Sequence, residues 1–279
     1  MVLILSLSLG AASCGDGDGA SSSGRAAVVA SFYPLAFAAE TIGGPAVEVT
    51  NLTPPGTEPH DVELSVSDVE RVRSADVVLY LGSGFQPAVE RAVEGGDAEA
   101  IDLLAGSTLE GEEEVDPHVW LDPLRYAEIG KRIGEALDQQ AAAQEFERKL
   151  RAVHQDFERG LAECERREIV TSHDAFSYLA DRYGLEQISI SRISPEAEPT
   201  PRELEEIVEE VRAHGATTVF FETLVSPRIA ETVAREAGVD STTLDPLEGL
   251  TEEDIAAGAD YFSVMRGNLE ALREALGCR

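Results

Sequence analysis

The sequence predicts an α/β protein of two lobes, each with a mainly parallel sheet, joined by a long helix. From residue 26 onward, short β-branched or apolar runs alternate with amphipathic segments of helical length, which is typical of βαβ units and parallel sheets. The alternation stops once, where residues 123–164 carry a long helical pattern. A chain of 279 residues is long enough for about two domains, each with its own core.

The strand and helix candidates divide between the two lobes. The predicted strands are β-branched or apolar runs at residues 26–31, 47–52, 76–82, 168–172, 186–191, 217–222 and 241–245. The predicted helices are amphipathic segments at residues 34–42, 66–74, 85–94, 174–183, 201–213, 227–237 and 260–276. The interruption therefore separates an N-terminal lobe at residues 26–122 from a C-terminal lobe at residues 165–279.

The segment at residues 123–164 is predicted to contain the helix that joins the lobes. Its apolar residues recur at spacings of four, three, four and four, which places them on one face of a helix. These residues are Phe146, Leu150, Val153, Phe157 and Leu161. A helix of about 20 residues is about 30 Å long, so it can run the length of a small domain.

The composition excludes several classes of protein. Asp and Glu outnumber Lys and Arg by 53 to 22, which gives a formal net charge of −31. A nucleic-acid-binding protein needs a basic face, so we expect no nucleic-acid partner. Hydrophobic residues make up 43% and charged residues 27% of the chain, as in globular proteins. The three cysteines form no CxxC pair, which excludes a cysteine-rich zinc module.

The amino terminus indicates export. Residues 2–9 read VLILSLSL, a run too short to span a bilayer but suited to the core of a signal peptide. Small residues then lead to Cys14, as in a bacterial lipobox, so we expect a signal peptide at residues 1–14 and a lipid on Cys14. An ordinary secretory signal with an incidental cysteine is the alternative. Residues 15–25 are rich in Gly, Ser and Asp, which predicts a flexible tether.

Three of the five histidines lie at strand ends or in the adjoining loops. His60 follows a predicted strand in a Pro/Gly-rich loop, His118 lies in another Pro-flanked loop, and His173 ends a predicted strand. Asp245 ends a further predicted strand and precedes a proline. In open α/β sheets, ligands bind outside the carboxyl ends of the strands, so these four residues are candidate ligands of one site.

Three imidazoles and one carboxylate would suit Zn²⁺, which is bound tetrahedrally by nitrogen and oxygen donors, whereas Mn²⁺ prefers more oxygen ligands. Each residue also has an ordinary interpretation: a loop histidine is often a surface residue, and an Asp before Pro is a common turn residue. The remaining histidines, His154 and His214, lie within helical patterns among charged residues and are predicted to be solvated.

At these residues the sequence resembles the metal-binding solute-binding lipoproteins of bacterial ABC transporters, in particular their zinc-uptake branch. The resemblance covers nearly the whole body, from about residue 28 to residue 275, in matching segments that occur in the family's order. These segments are SFYPLAFAAETIGG (31–44), GTEPHDVELSVSDVERVRSADVVLYLG (56–82), DPHVWLDP (116–123), SHDAFSYLADRYGL (172–185), SPEAEPTPRELEEIV (194–208), FFETLVSPRIAETVAREAGV (220–239) and LDPLEGL (244–250).

The resemblance implies two βα lobes joined by a rigid backbone helix, with a metal site in the cleft between them. It implies that His60 and His118 are ligands from the first lobe, and that His173 and Asp245 are ligands from the second. Manganese members typically carry Glu at the third position, so the histidine in SHDAF resembles the zinc branch.

Two further carboxylates lie in matching segments, Glu58 and Glu222. We expect them to support the site without coordinating the metal.

The implied function is the extracytoplasmic capture of Zn²⁺ and its delivery to an ABC permease that an ATPase drives. The protein would be a monomer anchored by lipid to the outer face of the cytoplasmic membrane, or periplasmic, and would not be an enzyme, because four protein ligands leave no open position on the metal. The alternatives are a manganese or iron carrier, a surface adhesin, and a secreted zinc hydrolase, although neither HExxH nor GxSxG occurs.

Two features remain open at the level of sequence. The acidic loop EGEEEVD at residues 110–116 carries no histidine, so it either attracts cations loosely or is a solvated loop.

Cys164 and Cys278 remain once Cys14 is lipidated, and outside the cytoplasm they can persist as a disulfide. Two unpaired thiols are the alternative.

Overall fold

The computed structural model describes residues 24–106, 115–191, 193 and 199–279. The predicted signal peptide with Cys14, most of the tether and most of the acidic loop lie outside the described residues. Within the described part of the chain, no helix has both the length and the apolar character needed to cross a membrane.

The N-terminal lobe is a four-stranded parallel sheet with the strand order β2-β1-β3-β4. Its strands are β1 (Ala26–Ala30), β2 (Val47–Asn51), β3 (Val77–Tyr80) and β4 (Glu99–Asp102). Its helices are α1 (Tyr33–Gly43), α2 (Val66–Ser74) and α3 (Pro87–Glu94), with a 3₁₀ turn at Gly44–Ala46. The first strand shows why the sheet is buried on both sides: Val28 packs in the cluster that contains α1, and Val29 packs in the cluster that contains α2 and α3.

The C-terminal lobe repeats this architecture with the parallel strand order β6-β5-β7-β8. Its strands are β5 (Glu168–Thr171), β6 (Glu186–Ser189), β7 (Thr218–Phe221) and β8 (Asp240–Thr243). Its helices are α6 (Ser177–Tyr183), α7 (Pro201–His214), α8 (Arg228–Ala237), α9 (Glu252–Ala256) and α10 (Tyr261–Leu276). The predicted fold of two parallel-sheet lobes is confirmed.

The segment between the lobes is a helical hairpin rather than one uninterrupted helix. Helix α4 (Pro123–Ala136) ends at a turn in which Asp138 has φ 54°, and α5 (Gln140–Gly160) follows. The two helices pack closely because α4 carries glycines at the contact: a Cβ on Gly134 would lie 2.4 Å from Cβ of Ala143.

Helix α5 is the joining helix, since it contacts α1 of the first lobe and α10 of the second. The five apolar residues predicted to share one face are all at most 5% exposed. They belong to a single hydrophobic cluster that includes residues of both lobes, such as Phe32 and Phe176. A shared core restricts relative movement of the lobes, because sliding them would open packed contacts.

Cys164 and Cys278 are disulfide-bonded across 114 residues of sequence. The bond ties the segment after α5 to the residues after α10. Backbone hydrogen bonds flank it on both sides, from Arg279 N to Glu163 O at 3.0 Å and from Glu165 N to Leu276 O at 3.0 Å.

Candidate metal centre

The candidate metal centre lies between the lobes, where four loops meet. His60 lies in the loop between β2 and α2, and His118 immediately precedes a 3₁₀ turn at Val119–Leu121. His173 lies two residues after the end of β5, and Glu248 lies in the loop between β8 and α9. Three of these loops leave the carboxyl ends of parallel strands, which is where open α/β sheets bind ligands.

The Nε2 atoms of the three histidines converge on one carboxylate oxygen. Oε1 of Glu248 lies 3.1 Å from Nε2 of His60, 2.8 Å from that of His118 and 3.4 Å from that of His173. The Nε2 atoms of His118 and His173 are themselves 3.4 Å apart. One ligand atom from each of the four residues lies within 4.8 Å of the others, so a single ion can contact all four after small movements.

The centre is buried on three sides. His118 and Glu248 are fully buried and His173 is 1% exposed, whereas the His60 side chain keeps 9% of its surface. Oε2 of Glu248 is buried and accepts no hydrogen bond from the described residues. A buried carboxylate oxygen is costly unless it is paired, so this atom is a further donor available to a cation.

Carboxylates on the far side of two imidazoles fix their orientation. Nδ1 of His118 lies 2.6 Å from Oδ1 of Asp116, and Nδ1 of His173 lies 2.8 Å from Oε1 of Glu222. Glu222 also accepts a hydrogen bond of 2.6 Å from the Ser172 hydroxyl. When Nδ1 donates to a carboxylate, Nε2 is left free to bind a metal. The expected supporting contact of Glu222 is therefore present, and Asp116 makes the corresponding contact for His118.

Glu58 lies beside the centre but outside the group of four. Its two carboxylate oxygens accept hydrogen bonds from the backbone N–H of His60, at 3.1 and 3.0 Å. Its Oε1 is 3.9 Å from Nε2 of His60. Burial, aided by the nearby charge of Glu248, raises the pKa of Glu58 to about 8.

The buried histidines and carboxylates of the centre shift one another's pKa values. Burial alone would lower the pKa of His118, but Asp116 and Glu248 outweigh it and raise that pKa to about 9. The pKa of His173 is also raised well above its usual value, because Glu248 and Glu222 outweigh burial. Burial opposes ionisation of Glu248, yet His173, His118 and His60 hold its pKa well below the usual range. Without metal, the pocket is thus a network of imidazolium and carboxylate groups whose protons a cation can replace.

Asp245, the expected fourth ligand, does not join this group. Its Oδ1 accepts a hydrogen bond of 2.7 Å from the backbone N–H of Leu247, and its Oδ2 accepts one of 3.2 Å from the Thr223 hydroxyl. The carboxylate therefore faces its own loop, and Glu248, three residues further on, faces the histidines. The sequence signal was present, since Glu248 lies in the same LDPLEGL segment, but strand-end position favoured Asp245.

The other two histidines lie away from the centre. His214 is exposed, as predicted, near Glu168 and Glu186. His154 differs from the prediction of a solvated residue, because its ring packs against Tyr183, with Nδ1 3.2 Å from the phenol oxygen.

A cavity of about 310 Å³ adjoins the centre on the side of His60. It is lined by His60 and Asp61 together with residues of the loops that carry Phe85, Pro117 and Ile193. His60 is thus both the most exposed of the four residues and the one that borders this cavity.

The chain belongs to the ZnuA family, zinc-uptake complex component A, periplasmic, whose match covers residues 28–275. It is 35% identical over 281 residues to the zinc-binding lipoprotein AdcA of Streptococcus pneumoniae, covering 91% of this chain. The chain spans 56% of the length of that relative. The Zn(II)-bound ZnuA-like domain of the same protein superposes with a TM-score of 0.79 at 34% identity, covering 91% of this chain and 99% of that domain.

Two further relatives cover most of their own length. The high-affinity zinc uptake system protein ZnuA of Bacillus subtilis is 30% identical over 277 residues, which is 89% of this chain and 87% of that protein. The laminin binding protein Lmb of Streptococcus agalactiae, described as a bifunctional protein with adhesin and metal transporting activity, superposes with a TM-score of 0.82 at 30% identity. That superposition covers 90% of this chain and 99% of Lmb.

Proposed function

We propose that this protein captures Zn²⁺ outside the cytoplasm and delivers it to an ABC permease driven by an ATPase. The ion would be bound by Nε2 of His60, His118 and His173 and by the carboxylate of Glu248. The observation that carries the proposal is the convergence of three imidazole nitrogens on one buried carboxylate oxygen, at 2.8 to 3.4 Å.

The donor set favours zinc over manganese and a carrier over a catalyst. Three nitrogens and one carboxylate suit tetrahedral Zn²⁺, whereas Mn²⁺ prefers a set richer in oxygen. Catalytic zinc keeps one coordination position open for water or substrate. Four protein donors fill all four positions of a tetrahedral ion, so the site is built to hold zinc rather than to activate water.

The relatives supply the cellular context of the proposal. They include a zinc-binding lipoprotein and a protein of a high-affinity zinc uptake system. We therefore propose that Cys14 carries a lipid that anchors the protein at the outer face of the cytoplasmic membrane. There a monomer would load zinc and dock on the permease.

A competition titration against a chromogenic zinc chelator tests the proposal. The wild-type protein should bind one Zn²⁺ tightly, and Mn²⁺ should compete poorly. His173→Ala should lower zinc affinity by at least about 100-fold, because it removes a buried nitrogen donor and leaves Glu222 with only the Ser172 hydroxyl as a partner. His214→Ala is the matched control: it removes an exposed histidine far from the centre and should leave the tight site unchanged. Equal affinity in His173→Ala and the wild type would refute the assignment.

Adhesion is a second candidate, because the similar protein Lmb is described as having adhesin activity. Surface plasmon resonance with immobilised laminin tests it directly. Laminin binding by both the wild type and His173→Ala would support an adhesive role separate from the metal site. Loss of binding in His173→Ala alone would tie adhesion to the zinc-loaded form, and no binding by either protein would exclude laminin as a partner.

A further inference from the structure

The loop that carries Glu248 is buried along its whole length, from Leu244 to Leu250. Leu247, directly before Glu248, has φ 56° and is fully buried. A residue with a branched side chain rarely adopts this left-handed conformation, and it persists only where its surroundings hold it. The direction in which Glu248 leaves the loop therefore depends on whatever fixes Leu247.

Asp245 supplies that restraint. Its Oδ1 accepts a hydrogen bond of 2.7 Å from the backbone N–H of Leu247, the turn that Asp side chains form with a residue two positions ahead. Its Oδ2 is held in turn by the Thr223 hydroxyl at 3.2 Å. Thr223 lies in the loop between β7 and α8, so this bond fixes the Asp245 carboxylate against a neighbouring loop.

Asn268 of α10 holds the backbone of Asp245 from the other side. The backbone N–H of Asp245 donates to Oδ1 of Asn268 at 2.9 Å, and Nδ2 of Asn268 donates to the carbonyl oxygen of Asp245 at 2.7 Å. Asn268 is 3% exposed, so water does not compete for these bonds. A buried asparagine that pairs with both backbone groups of one residue fixes that residue relative to the helix.

The rest of the loop joins the segments that carry two of the histidines. The indole N–H of Trp120 donates to the carbonyl oxygen of Pro246 at 2.8 Å, and the backbone N–H of Gly56 donates to that of Leu250 at 2.9 Å. The loop thus has fixed contacts with the segments of His118 and His60. The conformation within the loop, which Asp245 fixes, then decides whether the Glu248 carboxylate reaches the imidazoles of His118 and His60.

We propose that Asp245, clamped by Asn268, is a positioning residue for zinc: it holds Leu247 in the left-handed conformation that aims Glu248 at the three imidazoles. The inference rests on the proposed zinc site and adds that Asp245 acts on the metal only through Glu248. Its loss should therefore matter only while Glu248 can coordinate.

A double-mutant cycle on zinc affinity tests the proposal. Asp245→Ala should weaken zinc binding by about 10- to 100-fold, the usual loss when a supporting contact is removed. Glu248→Gln should weaken it at least as much. The double variant should bind zinc no more weakly than Glu248→Gln alone. If the two losses multiply instead, Asp245 acts on the metal independently and the proposal fails.

The isosteric variant separates positioning from coordination. In Asp245→Asn the amide oxygen can still accept from Leu247 N–H, and the amide N–H₂ can donate to Thr223 Oγ1. Zinc affinity should stay within about three-fold of the wild type. A loss as large as that of Asp245→Ala would show that the charge at residue 245 is needed, as for a ligand, and would overturn the proposal.

Two further variants distinguish a loss of positioning from a general loss of stability. Asn268→Ala removes the clamp from the other side and should reproduce the affinity loss of Asp245→Ala, again without effect in the Glu248→Gln background. Leu272→Ala, at a fully buried position one turn further along α10, is the control for general destabilisation. It should lower the melting temperature while zinc affinity stays unchanged. An equal loss of affinity in Leu272→Ala would mean that Asn268→Ala weakens zinc binding only by destabilising the fold. If every variant loses affinity equally while the wild type binds zinc, the positioning role is refuted but the zinc site stands.

Discussion

Zinc binding should release protons, and the number follows from the charges around the histidines. In the metal-free protein the pKa of His118 is raised to about 9, because Asp116 and Glu248 outweigh the effect of burial. At pH 7.4 such a group is about 98% protonated. The pKa of His173 is raised as well. Coordination requires a free Nε2 lone pair, so each bound Zn²⁺ should displace between about one and two protons at this pH.

The same shift determines how the two forms respond to pH. The folded-state pKa of His118 lies above the value of about 6.5 for free histidine. Its contribution to the stability of the metal-free protein is therefore complete below about pH 6.5 and is lost as the pH rises through about 9. The difference corresponds to about 3 kcal/mol. Zinc affinity should change in the opposite direction and rise across this interval, by about tenfold per pH unit for each proton displaced.

Titration calorimetry in buffers of different ionisation enthalpy measures the released protons directly. The observed enthalpy should vary linearly with the buffer enthalpy, with a slope between about one and two at pH 7.4 that decreases as the pH rises through about 9, where His118 loses its proton. Glu248→Gln should reduce the slope, since it removes a charge that raises both histidine pKa values. Glu253→Gln, at an exposed position on α9, should leave it unchanged. A slope of zero at pH 7.4 in the wild type would refute the imidazolium network.

Two further predictions concern the frame that holds the lobes. Gly134→Ala should lower the free energy of unfolding by about 1–3 kcal/mol in urea, because its Cβ would lie 2.4 Å from Cβ of Ala143. The control is Gly267→Ala on α10, where a Cβ meets nothing within 4 Å; it should be neutral or stabilising by up to about 1 kcal/mol. Equal effects of the two substitutions on the free energy of unfolding would contradict the close packing of α4 against α5. Reduction of the Cys164–Cys278 bond should lower the unfolding free energy by about 2–5 kcal/mol and leave one tight zinc site per chain. Loss of that site on reduction would mean that the bond shapes the centre.

The fold could be predicted from sequence because buried parallel strands are short, β-branched and separated by amphipathic helices. The edge strand β4 (Glu99–Asp102) was missed because its four residues, EAID, are largely exposed and lack the apolar run of a central strand. The break between α4 and α5 could not be predicted, because it contains neither Gly nor Pro. The chain turns there at Asp138, which has a positive φ that the spacing of apolar residues does not indicate.

The convergence of the three histidines could be predicted because strand ends in α/β sheets converge, whatever the details of the loops. The place of Glu248 among them could not, because Asp245 and Glu248 lie in one buried loop, three residues apart. Which of them faces the centre depends on the left-handed conformation of Leu247 and on the two hydrogen bonds between Asp245 and Asn268, which lie 23 residues apart. That long-range contact leaves no local pattern in the sequence.

A crystal structure of the zinc-loaded protein, with anomalous data collected at the zinc absorption edge, measures the central claim most directly. A single strong anomalous peak should lie between the lobes, about 2.0–2.2 Å from Nε2 of His60, His118 and His173 and from a carboxylate oxygen of Glu248. A peak elsewhere in the molecule, or one coordinated by Asp245 in place of Glu248, would contradict the account.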